Sequence, residues 1–226
     1  MAVKKLTGKI EKIIDETEDV KSFWIKLPEE FVFVPGQFVM VSSPGLDKKG
    51  AFSIGSSPTE FNDKILVTVK KVGLLTGKLY EAKVGDAVNI TGPLGDFTFK
   101  EQKNDLVFIS GGCGIVPFRC IIKYVIDKKL PNKIVLLYSA RTEKDIIYNY
   151  EWKKLENKNI KIMITLTRQE WKGRMGRIEE KLIKEAAEGL NNPEFFICGP
   201  QVLVDEISGK IKNLGYENRI RVDRWR

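Results

Sequence analysis

The alternation of apolar and polar residues divides the chain near residue 100. Up to that point, short runs such as Val20–Leu27 and Lys64–Lys71 alternate with a period of two, and turn residues separate the runs. A period of two is typical of half-buried strands, and short strands at regular spacing favour a small barrel. The sequence therefore predicts an N-terminal six-stranded antiparallel β-barrel. Its other predicted strands are Leu6–Ile14, Gln37–Ser42, Ala51–Ser56 and Ala87–Thr91, and one helix is predicted over Leu75–Ala82.

From Asp105 onwards, apolar strand-like runs alternate with helical runs in the order βαβαβαβαβ. This alternation predicts a doubly wound parallel sheet with helices on both faces. The boundary is placed in the turn-rich and charged stretch 93–104, which gives a β-barrel domain over 1–102 and an α/β domain over 103–226. The predicted strands are Leu106–Ser110, Lys133–Tyr138, Lys161–Leu166, Glu194–Cys198 and Arg219–Val222, and the predicted helices are Phe118–Lys128, Tyr148–Asn157, Ile178–Glu188 and Val202–Leu214.

The second half begins with a buried strand that breaks abruptly into glycines. Gly111, Gly112 and Gly114 let the backbone turn sharply and approach a bulky group, and Pro117 suits the first turn of the helix that follows. A strand, a glycine turn and a helix N-terminus together expose unpaired N–H groups and the positive end of a dipole to an anion, most often a phosphate. The residues alone leave phosphate binding and a plain tight turn both open.

The residue types exclude several kinds of chemistry. The 226 residues contain no histidine, which excludes an imidazole base, a histidine-ligated metal and a Ser-His-Asp triad. The three cysteines, Cys113, Cys120 and Cys198, show no C-x-x-C spacing. They therefore predict no disulfide framework, no iron–sulfur cluster and no other metal site.

The charge and the apolar runs bear on where the protein acts. The formal net charge is +8, but the lysines are spread along the chain, which favours a solvated surface over a patch that binds a polyanion. No apolar run reaches the ~20 residues that span a bilayer, and the N-terminus lacks the apolar core of a signal peptide. We therefore predict a cytoplasmic protein that neither binds nucleic acid nor inserts into a membrane.

Seven short motifs follow one another along nearly the full length of the chain. They are Gly50–Ser56, Lys71–Thr76, Gly85-Asp86 with Gly92–Phe97, Gly111–Pro117, Tyr138–Arg141, Cys198–Pro200 and the penultimate Trp225. In this order and spacing they resemble the ferredoxin–NADP reductase family of flavoproteins, whose Arg-x-Tyr-Ser-x-x-Ser segment is matched by the first motif. The resemblance implies an enzyme with a flavin-binding barrel and an NAD(P)-binding α/β domain.

On the barrel, the resemblance implies that Phe52 lies against the flavin ring and that the Ser53 hydroxyl reaches the redox-active N5 edge. An aromatic ring gains by stacking, and a neutral hydroxyl serves both redox states of the flavin. Thr76 is predicted to be an N-cap, beside N–H groups that can receive a flavin phosphate. Trp225 is implied to cover the flavin and to swing away before hydride transfer. The implied flavin residues are Phe52, Ser53, Ile54, Val69, Lys70, Lys71, Gly73, Leu75, Thr76 and Trp225.

One position departs from the family pattern. Where the family has an arginine that neutralises a flavin phosphate, this chain has Gly50. A lysine does not replace a bidentate guanidinium, although Lys48, Lys49, Lys70 or Lys71 can act as point charges. FAD is the expected cofactor, and FMN stays open.

On the α/β domain, the resemblance implies that the glycine turn holds the NAD(P) pyrophosphate and that Cys198 lies near the nicotinamide ring. Inert core packing of Cys198 stays open, and no base is present to make it a nucleophile. Arginines accept the 2′-phosphate of NADP, and Arg141 follows the second strand with no acidic residue before Glu143. NADP is therefore favoured over NAD. The implied nucleotide residues are Gly111, Gly112, Cys113, Gly114, Pro117, Ser139, Arg141, Arg168, Arg174, Arg177, Cys198, Gly199 and Pro200, and the implied catalytic residues are Ser53, Cys198 and Trp225.

The resemblance implies hydride transfer between nicotinamide C4 and flavin N5, across the cleft between the two domains and without a general base. The implied partners are NAD(P)H and a small one-electron carrier such as a ferredoxin or a flavodoxin. Two alternatives stay open: an electron-transfer subunit of a larger redox complex, and a flavin-free nucleotide-binding module with a structural or regulatory role.

Overall fold

The computed structural model describes residues 2–225, and of Trp225 only the backbone. The chain folds into two compact units. The first unit contains the chain up to Lys100 together with Val116–Lys128, and the second contains Glu101–Ile115 together with the chain from Lys129 onwards. The domain boundary after residue 102 stays a prediction.

Antiparallel strands form a nearly closed barrel in the first unit. They are β1 (Lys4–Thr17), β2 (Val20–Lys26), β3 (Phe38–Ser42), β4 (Gly50–Ser53), β5 (Lys64–Lys70) and β6 (Ala87–Leu94), in the order β4-β3-β6-β1-β2-β5. The edge strands β4 and β5 meet just beyond β4, where the Gly55 N–H donates to Leu66 O at 2.8 Å and Ile54 forms a bridge with Val67. Joining the edges removes the row of unpaired backbone groups that an open sheet exposes. The predicted barrel is confirmed.

The core of the barrel consists of the apolar residues that alternate with polar residues along its strands. Phe23, Ile25 and Val67 are at most 2% exposed. Fully burying a side chain of this size contributes about 1.5–3 kcal/mol. The helix α1 (Leu74–Tyr80) adds Leu75 and Leu79 to the same core. The alternation seen in the sequence is therefore the pattern that the barrel buries.

The helix α2 (Val116–Asp127), which follows the glycine turn, packs with the barrel in the first unit. Its Cys120 belongs to the barrel core. The ring of Phe118 lies 6.2 Å from that of Phe97, and the ring of Tyr124 lies 6.4 Å from that of Phe99. These ring contacts fix α2 against the segment that leaves the barrel.

The second unit contains a parallel sheet. Its strands are β7 (Leu106–Gly111), β8 (Ile134–Ala140), β9 (Ile160–Leu166), β10 (Arg174–Met175), β11 (Glu194–Pro200) and β12 (Ile220–Trp225), in the order β10-β9-β8-β7-β11-β12. The strand order reverses at β7, as it does in doubly wound sheets. The short edge strand β10 was not predicted, because its two exposed residues carry no apolar pattern.

Helices cover both faces of this sheet. The helices α4 (Glu180–Ala187) and α5 (Gln201–Asn213) pack Ile183 and Val204 against Val107 on one face. Tyr138 points to the opposite face, because it follows Leu137 of that first face along β8. Its hydroxyl accepts the N–H of Ile147, just before the helix α3 (Asn149–Leu155). The predicted doubly wound fold is confirmed.

Candidate functional site

The glycine turn between β7 and α2 lies against the end of β11. A Cβ on Gly114 would lie 2.0 Å from the carbonyl oxygen of Cys198, closer than any real Cβ comes, so only glycine fits there. Gly112 has a φ of +56°, and a Cβ placed on it would meet no atom within 4 Å. The turn therefore presses on one side against backbone and opens on the other side to free space, as a turn that holds a ligand must.

A row of side chains crosses the carboxyl edge of the sheet beside this turn. Asp223, Cys198, Ser110 and Tyr138 are register partners on β12, β11, β7 and β8. Register partners of parallel strands point to the same face. The Cys198 thiol donates to Asp223 Oδ2 at 3.8 Å, and the buried Ser110 Oγ has no hydrogen-bond partner among residues 2–225. The row thus presents the Cys198 thiol, the Asp223 carboxylate and the Ser110 hydroxyl, which can still form a hydrogen bond with a ligand.

The two buried thiols are protonated at neutral pH. Burial raises the pKa of Cys198 well above its usual value, and the neighbouring Asp223 carboxylate raises it further. Burial likewise raises the pKa of Cys120 to about 12. A thiol in this state packs as a small apolar group and is a poor nucleophile.

We expect Ellman's reagent to react quickly with Cys113 alone in the native protein, and with all three cysteines after unfolding. Cys113 is partly exposed, whereas a pKa of about 12 leaves the Cys120 thiol only about 0.01% ionised at pH 8. Release of thionitrobenzoate measures the reacting thiols. Cys113→Ser is expected to abolish the fast native reaction, and a second fast thiol in the native protein would contradict the prediction.

The four predicted NADP arginines fall into two pairs. Arg141 and Arg168 are exposed and adjacent, because the Arg168 N–H donates to Arg141 O at 2.9 Å. Neither guanidinium has an ion-pair partner among the described residues. Arg174 pairs instead with Glu185, and Arg177 lies 3.6 Å from the Glu206 carboxylate. The first pair is therefore available to an added anion, whereas the second pair already has carboxylate partners.

On the barrel, the side chains of Phe52 and Leu75 occupy the space beside Gly50, so a larger residue there would have to displace them. A Cβ there would lie 2.8 Å from the Phe52 ring and 3.0 Å from Leu75. Phe52 and the adjacent Ser53 are both half-buried at the end of β4. The Phe52 ring therefore lies against Gly50, where a Cβ would contact it.

The loop after β5 differs in one respect from the prediction. Thr76 is not the N-cap of α1, since the helix begins at Leu74 and Gly73, whose backbone is extended, is the capping residue. The N–H groups of Val72 and Gly73 both donate to Thr76 Oγ1 at 2.9 Å. The Thr76 hydroxyl therefore already satisfies both of these N–H groups.

The remaining predicted flavin residues have different surroundings. The side chains of Ile54, Val69 and Leu75 belong to the barrel core, which leaves their backbone atoms for a flavin. Lys70 pairs with Asp19 at 3.1 Å, whereas Lys71 is exposed. Lys48 and Lys49 are exposed as well. The backbone of Trp225 pairs with that of Pro200, and its side chain lies outside the described residues.

A depression of about 470 Å³ lies at the opposite edge of the sheet, lined in part by Asn104, Glu194 and Arg221. Glu194 accepts hydrogen bonds there from Asn104 at 3.0 Å and from Arg221 at 3.3 Å. The depression contains none of the predicted site residues, and its polar groups bind one another. We therefore assign the site to the carboxyl edge.

Both halves of the chain match known oxidoreductase domains. Residues 7–99 match the Oxidoreductase FAD-binding domain, and residues 108–208 match the Oxidoreductase NAD-binding domain. The chain is 31% identical over 221 residues to sulfhydrogenase 1 subunit gamma of Pyrococcus furiosus, covering 92% of this chain and 75% of that subunit. The chain belongs to the ferredoxin–NADP reductase family.

Two further comparisons, one of sequence and one of structure, agree with this assignment. The reductase component of phenol 2-monooxygenase from Pseudomonas sp. is 28% identical over 214 residues, which cover 90% of this chain. This chain spans only 60% of that component's length. The crystal structure of a ferredoxin NADP+ reductase from Neisseria gonorrhoeae with bound FAD and NADP superposes with a TM-score of 0.84, at 21% identity and with 98% of both chains covered. At 21% identity, this structural similarity shows that the two chains share a fold.

The residues of this family member fit both cofactors of the family. The open space at Gly112 and the unpaired Ser110 hydroxyl suit a nucleotide at the carboxyl edge. The half-buried Phe52 ring and the exposed Lys71 just after β5 suit a flavin on the barrel. No group of three or more metal-ligating side chains occurs in the described part of the chain. Over residues 2–225, no helix combines the length and apolar character that crossing a membrane requires.

Sequence reasoning did not select two acidic residues that the structure places beside the predicted ones. Asp223 contacts the Cys198 thiol, and Glu60 pairs with the buried Arg119. The Asp-Arg-Trp tail was a signal for Asp223, since it lies next to the predicted Trp225. Arg119 was detectable as a charge inside the apolar run that forms α2.

Proposed function

We propose that this chain is a flavin-dependent oxidoreductase that passes electrons between NAD(P)H and a one-electron carrier such as a ferredoxin or a flavodoxin. The contact between Gly114 and Cys198 carries the proposal, because a Cβ at Gly114 would lie 2.0 Å from the Cys198 carbonyl oxygen. This contact holds the candidate pyrophosphate turn against the strand end that carries the candidate nicotinamide residue. Ligands of doubly wound sheets bind at this carboxyl edge. The proposal keeps the cytoplasmic location predicted from the sequence.

The chain's own residues orient the reactants. N–H groups of the glycine turn bind the pyrophosphate, Cys198 packs against the nicotinamide, and Phe52 and Ser53 hold the flavin ring. Asp223 orients the Cys198 thiol through their 3.8 Å contact. When bound, the flavin supplies N5 as acceptor of a hydride (two electrons and one proton) from nicotinamide C4 and releases the electrons singly. Because the hydrogen leaves carbon with its electron pair, the chain needs no general base.

NADP is the proposed nucleotide. Arg141 and Arg168 are adjacent and exposed, and neither has an ion-pair partner among the described residues. Two arginines at the ends of neighbouring strands, Arg141 after β8 and Arg168 after β9, are suited to a 2′-phosphate, which they bind with several charge-assisted hydrogen bonds. FAD is the proposed flavin, and the match of residues 7–99 to an FAD-binding domain favours it over FMN.

A second candidate is an electron-transfer subunit of a larger redox complex. The likeness to the gamma subunit of a sulfhydrogenase, over 92% of this chain, favours it. Both candidates use the same site and differ in the acceptor: a free carrier in the first and a fixed partner subunit in the second. Purification from the native source separates them, because only the subunit elutes together with stoichiometric partner polypeptides.

The test of the proposed function begins with the visible spectrum of the purified protein, alone and after addition of FAD or FMN. We expect flavin absorbance bands that bleach when NADPH is added without oxygen. A protein that binds neither flavin would overturn the proposal and favour a nucleotide-binding module with a structural role. A protein that binds flavin but is not reduced by NADPH or NADH would also overturn it.

Gly50→Ala is expected to weaken flavin binding. The new methyl group would lie 2.8 Å from the Phe52 ring and displace it from its place under the flavin. Aromatic stacking contributes about 0.5–1.5 kcal/mol, which corresponds to a roughly 2- to 10-fold higher Kd. Flavin fluorescence quenching measures the change. Gly209→Ala, where a Cβ meets no atom within 4 Å, is the control, and equal Kd values for the two variants would contradict the prediction.

A further inference from the structure

A charged side chain is buried within the apolar face of α2. Arg119 is 3% exposed and lies between Phe118 and Cys120, which are fully buried. A buried charge persists when it is paired and hydrogen-bonded, since it has lost its hydration. The partners of Arg119 therefore indicate what the residue does.

The guanidinium of Arg119 binds the segment that follows β4. Nη1 donates to Gly55 O at 2.7 Å and to Glu60 Oε2 at 3.1 Å, while Nη2 donates to Glu60 Oε1 at 3.3 Å. Its carbon centre lies 6.0 Å from the centroid of the Trp24 ring. A planar fork of donors fixes the direction of a carbonyl and of a carboxylate at once, which the point charge of a lysine cannot do.

Glu60 is held in turn by its own segment and by α2. Its Oε2 accepts the Ser57 N–H at 2.8 Å, and Lys123, one turn further along α2, lies 3.8 Å from Oε1. The Glu60 side chain is 14% exposed, so these contacts replace most of its hydration. The shape of the loop from Gly55 to Glu60 therefore depends on the Arg119–Glu60 pair.

We propose that the Arg119–Glu60 pair positions Ser53, whose hydroxyl is assigned to flavin N5, relative to the first turn of α2. Gly55 lies two residues after Ser53, and Arg119 lies two residues after Pro117. The pair thus joins the flavin-facing end of β4 to the helix that continues from the glycine turn. It touches neither cofactor and acts through these two segments. The inference rests on the proposed function, which assigns Ser53 and the glycine turn to the cofactors.

Stabilising the packing of α2 against the barrel does not by itself account for a buried ion pair at this place. Replacing buried ion pairs by apolar residues of similar volume is often neutral or stabilising, so such a pair adds little cohesion over apolar packing. The rings of Phe118 and Tyr124 already hold α2 against Phe97 and Phe99. What the guanidinium adds is direction, because it fixes the Gly55 carbonyl and both Glu60 oxygens to one rigid plane.

The main test variant is Arg119→Lys, which keeps the charge but cannot reach all three oxygens together. Its matched control is Asp127→Asn, at the far end of α2, where Asp127 accepts a hydrogen bond from Thr59 of the same loop without touching Gly55. Hydrogen exchange of the cofactor-free proteins reports on the loop directly. We expect the amides between Ile54 and Glu60 to exchange at least about tenfold faster in Arg119→Lys, and to keep the wild-type rate in the control.

The flavin-loaded proteins are then reduced with NADPH in an anaerobic stopped-flow instrument. A misplacement of about 1 Å costs about 100-fold in rate, so we expect the limiting rate of flavin reduction in Arg119→Lys to fall by that factor. The apparent Kd for NADPH is expected to change by less than about threefold, because the pyrophosphate turn is untouched. The long-wavelength charge-transfer absorbance between the two rings is expected to weaken with the rate. If Arg119→Lys does not fold, the double variant Arg119→Met with Glu60→Gln, which removes both charges, takes its place.

Faster loop exchange together with a lower limiting rate supports positioning. Faster exchange with an unchanged limiting rate overturns the positioning role and leaves a structural role for the pair. A variant that loses affinity for both the flavin and the nucleotide also overturns the positioning role. Wild-type behaviour in both measurements overturns it as well. If neither NADPH nor NADH reduces the wild-type flavin, the proposed function fails, and the positioning role fails with it.

Discussion

Gly114→Ala is expected to remove nearly all nucleotide-dependent reduction of the flavin. The added Cβ would lie 2.0 Å from the Cys198 carbonyl oxygen and 2.6 Å from its carbon, so the turn and the end of β11 have to separate. Both contacts are with backbone, which cannot rotate away as a side chain can. A shift of about 1 Å between binding groups is enough for a loss of about 100-fold in rate. Overpacking of this kind also destabilises the fold by about 1–3 kcal/mol.

Two measurements check the Gly114 prediction. Stopped-flow reduction by NADPH gives the rate, and denaturant unfolding gives the free energy of unfolding. The control, Gly209→Ala in α5, adds the same methyl group where no atom lies within 4 Å. Because alanine is the better helix former, it is expected to raise the free energy of unfolding by up to about 1 kcal/mol and to leave the rate unchanged. Wild-type reduction in Gly114→Ala would show that the turn does not hold the nucleotide.

The sequence predicted the glycine turn but not the reason for each glycine. A strand that breaks into Gly111, Gly112 and Gly114 before a helix is a local signal, which periodicity and residue type are sufficient to detect. That Gly114 lies against the carbonyl of Cys198 is a contact between segments 84 positions apart, and no local pattern contains it. The same distinction explains Gly50. The missing charge was visible in the sequence, whereas the Phe52 ring that fills its place was not.

Long-range polar pairs were the least predictable part of the candidate site. Arg119 was visible as a charge within an apolar run, but its partner Glu60 lies 59 positions away, in a loop without periodicity. The capping residue of α1 was predicted wrongly for a related reason. Thr76 is a favourable capping residue by type. Gly73 nevertheless caps the helix, because its backbone is extended and the helix begins at Leu74. Residue type therefore predicts which groups can act, and tertiary contacts decide which of them do.

Removing Arg141 and Arg168 together is expected to change the choice of nucleotide. A backbone hydrogen bond joins the two residues, and neither of their exposed side chains has an ion-pair partner among the described residues. A hydrogen bond to a charged group contributes about 1.5–3 kcal/mol, so losing the contacts to a 2′-phosphate costs about 10- to 100-fold in kcat/KM for NADPH. NADH has no 2′-phosphate, and its kcat/KM is expected to stay within about threefold of wild type. The variant would therefore use the two nucleotides almost equally.

Steady-state reduction of a dye acceptor with each nucleotide measures this preference. Lys144→Ala removes one positive charge from the loop after Arg141 and serves as the control for a general loss of charge. Arg174→Ala and Arg177→Ala are expected to have smaller effects than the Arg141 and Arg168 changes, because Glu185 and Glu206 already bind their guanidinium groups. Equal losses for NADPH and NADH in the Arg141 and Arg168 variant would mean that these arginines hold a part common to both nucleotides. The preference for NADP would then have to come from elsewhere in the chain.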